Sequence, residues 1–412
     1  MSIVSYTAQR GAWQWSDAVQ SLVPYRHGMR HGDLVIVGGQ AAFDGSGEVI
    51  GPNDHLRQAD VIMSYIADVI ADLAGDTAHL AKLTVFYVYG GAALEIELMR
   101  RIRATIRSSP PPAISFIPLP RLALPGLALV IDALAVVPRG ADVTAAAPKG
   151  HWRWPEKAEF SYGLRCGKWT FISGQMAAAP SGETIFPGDI VGQARTTIDN
   201  VSNVLTSLGC DLDDVVKLNT WYTGDGTDVD WRKAAEIRAN AFRFPGPGAT
   251  GVPVPGPYPN GLLLRQECMA LRAASGERLP RALSWPLGHW DWPIPVSFQQ
   301  ALKIGEVIVL GGQISTDAEC KAIFPGDMRA QTRNVMASIR NLLASFDLDL
   351  TALAKLTCFY RTRGSLNDLT DMLSVCREFL PDPAPPITIV PLENLGFEDV
   401  TLEIEGLAFA AG

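Results

Sequence analysis

Short apolar runs that end at small residues occur three times along this chain. The runs are residues 34–37, 169–172 and 307–310. Each is followed by two small residues and a glutamine, at Gln40, Gln175 and Gln313. A short apolar run bounded by turn residues predicts a buried strand, and small residues at its end let another backbone or a ligand approach closely. The pattern therefore predicts three equivalent strand ends that a ligand can reach.

Four polar anchors, of which this glutamine is the first, indicate an internal repeat. The intervals between successive anchors are 18, 24 and 50 residues in every copy. The anchors are Gln40, Gln58, Lys82 and Asp132, then Gln175, Gln193, Lys217 and Glu267, then Gln313, Gln331, Lys355 and Glu405. We expect three tandem repeats at residues 1–139, 150–275 and 286–412. Short linkers are expected at about 138–149 and 275–286, the first of them flexible.

Periodicity within a repeat predicts a hairpin, a helix, a strand, a second helix and two further strands. The first helix of repeat 2 has apolar residues at 194, 198, 201, 205 and 208, which is typical of an amphipathic helix. Asp54, Asp189 and Asp327 precede the first helices, where a carboxylate caps free backbone N–H groups. The second helices are predicted near 92–107, 231–241 and 367–379, and the last strands at 129–136, 265–271 and 402–409. The expected class is α+β, with helices on one face of each sheet.

The lysine and acid anchors are predicted to face away from the helices. Alternation along the strand puts Lys82 opposite Leu83 and Val85, which suit the helix-covered face. The second face of each sheet must then be covered by the other two repeats, so we expect an intramolecular pseudo-trimer around a central β-barrel. The lysines and acids are either general acids and bases or ion pairs that fix how the repeats assemble. Their threefold occurrence favours the second role.

Two further features leave alternatives open. Two tryptophans begin each repeat: Trp13 and Trp15, Trp152 and Trp154, Trp290 and Trp292. They either line ligand sites or fix the start of each repeat onto a neighbouring core, and the large area that aromatic residues bury favours the second.

The proline-rich segment 245–259 forms either the rim of one cleft or a protected edge strand.

Composition limits the classes of function. The 412 residues carry a net charge of −8 and no basic stripe, which argues against a nucleic-acid partner. We recognise no signal peptide, and no apolar stretch approaches the ~20 residues of a membrane span. The six cysteines lack zinc or disulfide spacing, and no cofactor or metal motif is found. We expect a cytoplasmic protein without cofactors that acts on a small molecule, as a monomeric pseudo-trimer or a low-order homo-oligomer.

The ordered motifs resemble the Rid (YjgF) family of enamine and imine deaminases. In repeat 1 the resemblance rests on residues 24–25, 32–40 and 131–135, with Gln58 and Lys82. Repeat 3 matches through 305–313 and 402–408, and repeat 2 through 173–175 and 215–217. The resemblance implies a fold like bacillar chorismate mutase and homotrimers with ligand clefts between subunits. One chain here would supply all three clefts.

The resemblance also implies positions for site residues. The arginine that grips the substrate carboxylate falls on Ile114, Ala249 and Ile387. Because an aliphatic side chain cannot replace a guanidinium fork, we expect a substrate that lacks a simple carboxylate and is apolar or aromatic. The family's glutamate falls on Val130, Arg265 and Glu403, and its cleft tyrosine on Tyr25, Phe160 and Phe298. Arg265 is either a substitute anion grip or the partner of an acid such as Glu267 or Glu403.

The favoured hypothesis is a small-molecule enzyme of the Rid type that hydrolyses or tautomerises an imine, an enamine or a related C–N compound. Glu403 would assist the attack of water, and Tyr25 is the second catalytic candidate. The candidates for substrate binding are Arg265, Ser173, and backbone N–H groups near Gly39, Gly174 and Gly312. The alternatives are a non-catalytic ligand-binding or chaperone-like pseudo-trimer, and a hydrolase of a cyclic amide or an enol ether.

Overall fold

The computed structural model of the chain describes residues 4–6, 25–73, 75–137, 143–224, 229–256 and 259–410. Three six-stranded sheets, each with two helices, follow one another along these residues. The α+β class and the three tandem repeats are therefore confirmed. Trp13 and Trp15 lie outside the described residues.

The strand order is the same in all three sheets. Repeat 1 contains β1 (Val4–Tyr6), β2 (Gly28–His31), β3 (Leu34–Ala41), β4 (Leu80–Val88), β5 (Ala113–Leu119) and β6 (Leu129–Val136). Repeat 2 contains β7 (Val143–Ala145), β8 (Gly163–Cys166), β9 (Trp169–Met176), β10 (Val215–Thr223), β11 (Gly248–Val254) and β12 (Leu264–Leu271). Repeat 3 contains β13 (Arg281–Ser284), β14 (Ala301–Ile304), β15 (Val307–Gln313), β16 (Leu353–Arg361), β17 (Ile387–Leu392) and β18 (Leu402–Phe409). The order β1-β2-β3-β6-β4-β5 recurs in the other two sheets.

Two helices connect the strands of each repeat. They are α1 (His55–Asp72) and α2 (Ala92–Thr105), α3 (Ile190–Ser207) and α4 (Val229–Asn240), α5 (Met328–Ala344) and α6 (Leu366–Phe379). Asp54, Asp189 and Asp327 cap α1, α3 and α5 as predicted, because each side chain accepts a hydrogen bond from a backbone N–H of the first turn. No helix of the described residues is long and apolar enough to cross a membrane.

Short edge strands occupy part of the expected linkers. β7 pairs with β8, and β13 pairs with β14, so each adds a strand to the sheet of the repeat that follows it. The prediction of a linker was wrong at residues 143–145 and 281–284. Three or four residues are too short a stretch for alternation to show in a sequence.

The glutamine anchors hold the loops of each repeat in place. Gln58, for example, donates to the carbonyls of Gly51 and Gly126 and accepts from the backbone N–H of Ala128. Gln193 and Gln331 make the equivalent three bonds in their repeats. The buried side-chain amide forms hydrogen bonds with backbone groups that water cannot reach. This explains why a glutamine occurs at the equivalent position of every repeat.

The three sheets turn their second faces toward one another, as the lysine and acid positions predicted. Leu34, Phe171 and Val309 belong to one buried apolar cluster that takes residues from all three repeats. Single backbone bridges also link the repeats in a cycle: Ala113 to Ser161, Gly248 to Gln299, and Ala384 back to Tyr25. The pseudo-trimer thus closes on itself. In the described part of the chain the three sheets meet through these bridges and through the shared apolar cluster.

Three ion pairs surround the axis of the pseudo-trimer, and each joins two repeats. Lys82 contacts Glu267 at 2.6 Å, Lys217 contacts Glu405 at 2.8 Å, and Lys355 contacts Asp132 at 2.6 Å. They line a central cavity of about 90 Å³. Each lysine therefore pairs with the acid of the next repeat in the cycle, which is the arrangement expected of the architectural role.

Candidate functional site

The candidate sites are the clefts between consecutive repeats, where the last strand of one repeat faces the fourth and fifth strands of its neighbour. We call them cleft 1 (repeats 1 and 2), cleft 2 (repeats 2 and 3) and cleft 3 (repeats 3 and 1). The predicted glycines lie in the same place in each, because the pairing of the third and last strands shifts register beside them. Gly39, Gly174 and Gly312 each lie against the side chain that occupies the family's glutamate position.

Glu403 is a buried carboxyl group in cleft 2. Its side chain projects from β18 over Gly312, and only 6% of the residue is exposed. A Cβ atom at position 312 would overlap with Oε1 of Glu403, so this carboxyl position requires a glycine beneath it. No hydrogen bond to the carboxyl is found among the described residues.

Burial changes the protonation of Glu403. Loss of water and then the nearby Glu405 carboxylate raise its pKa to about 8, against a smaller opposite effect of Lys217. The group is therefore mostly protonated at neutral pH. Burial alone would also raise the pKa of Glu405, but the ion pair with Lys217 and hydrogen bonds from Thr250 and Asn219 hold it below its ordinary value. Two carboxyls on one strand thus differ in charge.

Arg238 on α4 is the second ionisable group of cleft 2, and the sequence analysis missed it. The residue is 3% exposed, and neither Nε nor Nη1 has a hydrogen-bond partner among the described residues. Burial lowers its pKa to about 10, which leaves it protonated at neutral pH. Trp231, Ala234, Ala235 and Arg238 are all buried at helical spacing. An arginine on the apolar stripe of a helix was the signal that could have identified it.

Aromatic residues form the walls of cleft 2. Trp290 and Trp292 stack edge to face at 4.9 Å, and Trp292 packs in the same way on Phe298. Trp231 lines the side that belongs to repeat 2. The indole N–H groups of all three tryptophans are buried without an acceptor in the described chain. The cleft therefore presents several hydrogen-bond donors and a protonated acid between apolar surfaces.

Cleft 1 is closed by its own side chains. Arg265, in the position equivalent to Glu403, donates to Glu95 on α2 at 3.1 Å and to the carbonyl of Phe116. Glu95 also accepts a hydrogen bond from Tyr87. Neither Glu267 nor Glu403 is its partner, contrary to the acids named from the sequence. The remaining space is about 10 Å³, because the arginine lies where a substrate would.

The other residues of cleft 1 that the sequence analysis named make contacts that hold the fold together. The Ser173 hydroxyl donates to the carbonyl of Ser161 and accepts from the N–H of Ile114, which ties β9 to β5. Trp152 and Trp154 line cleft 1. In both clefts the two tryptophans of the pair therefore line the cleft and also pack against each other. The proline-rich segment contributes the edge strand β11, whose Ala249 lines cleft 2.

Tyr25 lies in cleft 3, where it forms a backbone bridge to Ala384, and it is not among the residues that line cleft 2 with Glu403. Tyr25 is 3% exposed, its hydroxyl has no partner among the described residues, and burial raises its pKa. Val130 takes the glutamate position above Gly39. The structure therefore separates Tyr25 from Glu403, and brings Glu403 and Gly312 together.

No group of histidine, cysteine or acidic side chains in the described residues is placed to hold a metal ion. Cleft 2 itself is lined by carboxyl, guanidinium and indole groups. Together these groups can donate a proton, bind a negatively charged group and exclude water from an apolar ligand.

Comparison with known proteins agrees with the repeat structure. The family model described as Endoribonuclease L-PSP matches residues 15–137, 153–261 and 294–410. These segments make up most of the chain, so the protein belongs to this family, and the resemblance to the Rid (YjgF) proteins is confirmed.

Individual relatives match one repeat or the whole fold. A RutC family protein of Pyrococcus abyssi (strain GE5 / Orsay) is 31% identical over 118 residues, which are 28% of this chain and 90% of that protein. The 2-iminobutanoate/2-iminopropanoate deaminase of Mus musculus is 33% identical over 58 residues, 14% of this chain and 43% of that protein. The solved structure of a chorismatase is 13% identical, with a TM-score of 0.52, and the match covers 80% of this chain and 93% of that chain. The last match shows a shared fold.

Proposed function

We propose that this protein is a small-molecule enzyme of the Rid type and that cleft 2 is its reaction site, where an imine or enamine is hydrolysed. The observation that carries the proposal is Glu403, a buried carboxyl group with a raised pKa that faces the cleft without a partner in the described chain. Perturbed carboxyls of this kind are characteristic of general acids.

The chemistry needs one group that first donates and then accepts a proton. Protonated Glu403 donates to the β-carbon of an enamine, and the nitrogen lone pair forms the C=N bond of an iminium ion. Water then adds to the iminium carbon while the Glu403 carboxylate takes a proton from it. The carbinolamine loses its amine as ammonia and becomes a carbonyl compound, with Glu403 shuttling the proton from oxygen to nitrogen. An imine enters the same sequence by protonation at nitrogen.

Cleft 2 is favoured over its two counterparts by the residue above each glycine. Val130 in cleft 3 cannot transfer a proton. Arg265 in cleft 1 is held by Glu95 and Phe116 and fills the space. A single specialised site also agrees with the scatter of polar residues among the repeats.

The test compares wild type with Glu403→Gln, which keeps the size of the side chain and removes its proton transfer. An amino-acid oxidase generates a panel of imines and enamines in the assay mixture. Semicarbazide then traps the imine or enamine that has not been hydrolysed. We expect the variant to lose roughly 100- to 10,000-fold in rate. Glu393→Gln, at a surface carboxylate that pairs with Arg121, is the matched control and should retain the wild-type rate. Full turnover by Glu403→Gln would remove this residue from the mechanism.

A second candidate reaction is the hydrolysis of an enol ether. The same transfer of a proton from Glu403 to a double-bond carbon, followed by attack of water, would break a C–O bond instead of a C–N bond. The fold shared with a chorismatase motivates including enol ethers in the panel. If wild type accelerates no member of either class, the non-catalytic ligand-binding alternative is favoured.

A further inference from the structure

Arg238 is a buried positive charge, and no negatively charged partner for it lies among the residues that the structure describes. The described chain offers no carboxylate within 4 Å of its guanidinium. An unpaired buried charge is strongly destabilising, and a buried arginine normally has an acidic or carbonyl partner. Its retention in a cleft wall therefore points to an anion that comes from outside the protein.

The corresponding helices of the other repeats bury no arginine. The buried residues of α2 are Glu95, Leu98, Met99 and Ile102, and those of α6 are Leu369, Met372, Leu373, Val375 and Cys376. In cleft 1 the helix supplies an acid and the last strand supplies an arginine, and the two pair with each other. In cleft 2 the helix supplies the arginine and the last strand supplies the acid.

Arg238 and Glu403 do not pair, although both line cleft 2. No ion pair joins them in the described chain, and the pKa shift of each group is attributed to burial and to other neighbours. Glu403 is instead kept neutral by burial. A ligand between them would therefore meet a cation at one end and a proton donor at the other, with indole and phenyl rings along its sides.

We propose, on the basis of the function proposed above, that Arg238 binds a carboxylate of the substrate, and that cleft 2 selects an apolar or aromatic imine or enamine that carries one carboxylate. The planar guanidinium fork matches a carboxylate in a bidentate arrangement. One cation among apolar walls suits a single negative charge better than a phosphate dianion. This assignment replaces the expectation of a substrate without a carboxylate, because the grip comes from α4 instead of the position of Ala249.

The experiment measures binding of benzoate, phenyl phosphate and neutral benzamide to the full chain by calorimetry at neutral pH. Quenching of tryptophan fluorescence provides a second readout, since three tryptophans line the cleft. Wild type should bind benzoate more tightly than the other two compounds. Arg238→Met should weaken benzoate binding by roughly 10- to 100-fold and abolish the preference over benzamide. The same variant should also show a higher Tm, because it removes an unpaired buried charge, whereas loss of a merely structural arginine would lower it.

Two controls separate this inference from the proposed reaction. Arg153→Met makes the same substitution at an exposed arginine of cleft 1 and should leave benzoate binding unchanged. Glu403→Gln should keep the preference for benzoate even though it loses turnover, so failure of the reaction mechanism leaves the binding result intact. The inference is overturned if wild type binds benzoate no better than benzamide, if phenyl phosphate binds best, or if Arg238→Met binds benzoate as wild type does.

Discussion

Glu403 occupies its position because Gly312 has no side chain. The two residues lie on neighbouring strands, and the carboxyl fills the volume that a Cβ atom would take. A glycine at a strand interior usually weakens the strand, so its presence here is explained by the close approach of a functional group. The same relation holds in cleft 1, where a Cβ at Gly174 would lie 2.6 Å from Cδ of Arg265.

Gly312→Ala is therefore expected to displace the Glu403 carboxyl and to reduce the turnover of cleft 2 by roughly 100-fold or more, because a misplaced proton donor cannot reach the substrate. The measurement is kcat on the best substrate of the panel, in a double-mutant cycle with Glu403→Ala. The loss from Gly312→Ala should vanish once Glu403 is absent. An additive loss in the double variant would show that Gly312 acts independently of the carboxyl.

At the scale of an element, β18 sets the protonation of two carboxyl groups that lie two residues apart. Glu405 faces the axis and is paired with Lys217, while Glu403 faces cleft 2 and has no partner in the described chain. Burial and then the charge of Glu405 raise the pKa of Glu403, so the axial ion pair influences the proposed reaction site.

The pH profile of activity should report this influence. A proton donor with a pKa of about 8 is active when protonated, so kcat/KM should fall as the pH rises above that value. Glu405→Gln removes the negative neighbour and frees the positive charge of Lys217, and both changes lower the pKa of Glu403. The descending limb should therefore move to lower pH. Glu267→Gln breaks the equivalent pair between repeats 1 and 2 and should leave the limb in place. An unshifted limb in Glu405→Gln would contradict the coupling.

The elements were largely predictable from the sequence, and the site was predictable only in part. Anchors at a constant spacing identified the three repeats, and periodicity identified the succession of helices and strands within each repeat. The N-caps were predictable because Asp54 and its counterparts act through local geometry. Arg238 was not identified, because its role depends on the absence of a partner, which only the packed cleft reveals. The sequence left two possible roles for Arg265, an anion grip or the partner of an acid. Its partner, Glu95, lies 170 residues away on another repeat.

At the scale of the whole molecule, the three axial ion pairs decide how the repeats assemble. Each lysine finds its acid on the next repeat, so a wrong order of packing would leave buried charges unpaired. Such pairs give little net stability in the correct arrangement but strongly penalise the others. The cyclic backbone bridges then complete the closure of the pseudo-trimer.

Lys82→Met should consequently destabilise the chain by roughly 3–5 kcal/mol, since it leaves the Glu267 carboxylate buried without its partner. The free energy of unfolding is measured by urea denaturation, followed by tryptophan fluorescence and by circular dichroism. The double variant Lys82→Met/Glu267→Gln should recover most of the loss, because no unpaired charge remains. The pair joins repeats 1 and 2, so its loss should make the repeats unfold less cooperatively. In the single variant, the unfolding curve from fluorescence should then no longer coincide with the curve from circular dichroism. A cost below about 1 kcal/mol would mean that the axial pairs behave like surface ion pairs and that apolar packing alone specifies the pseudo-trimer.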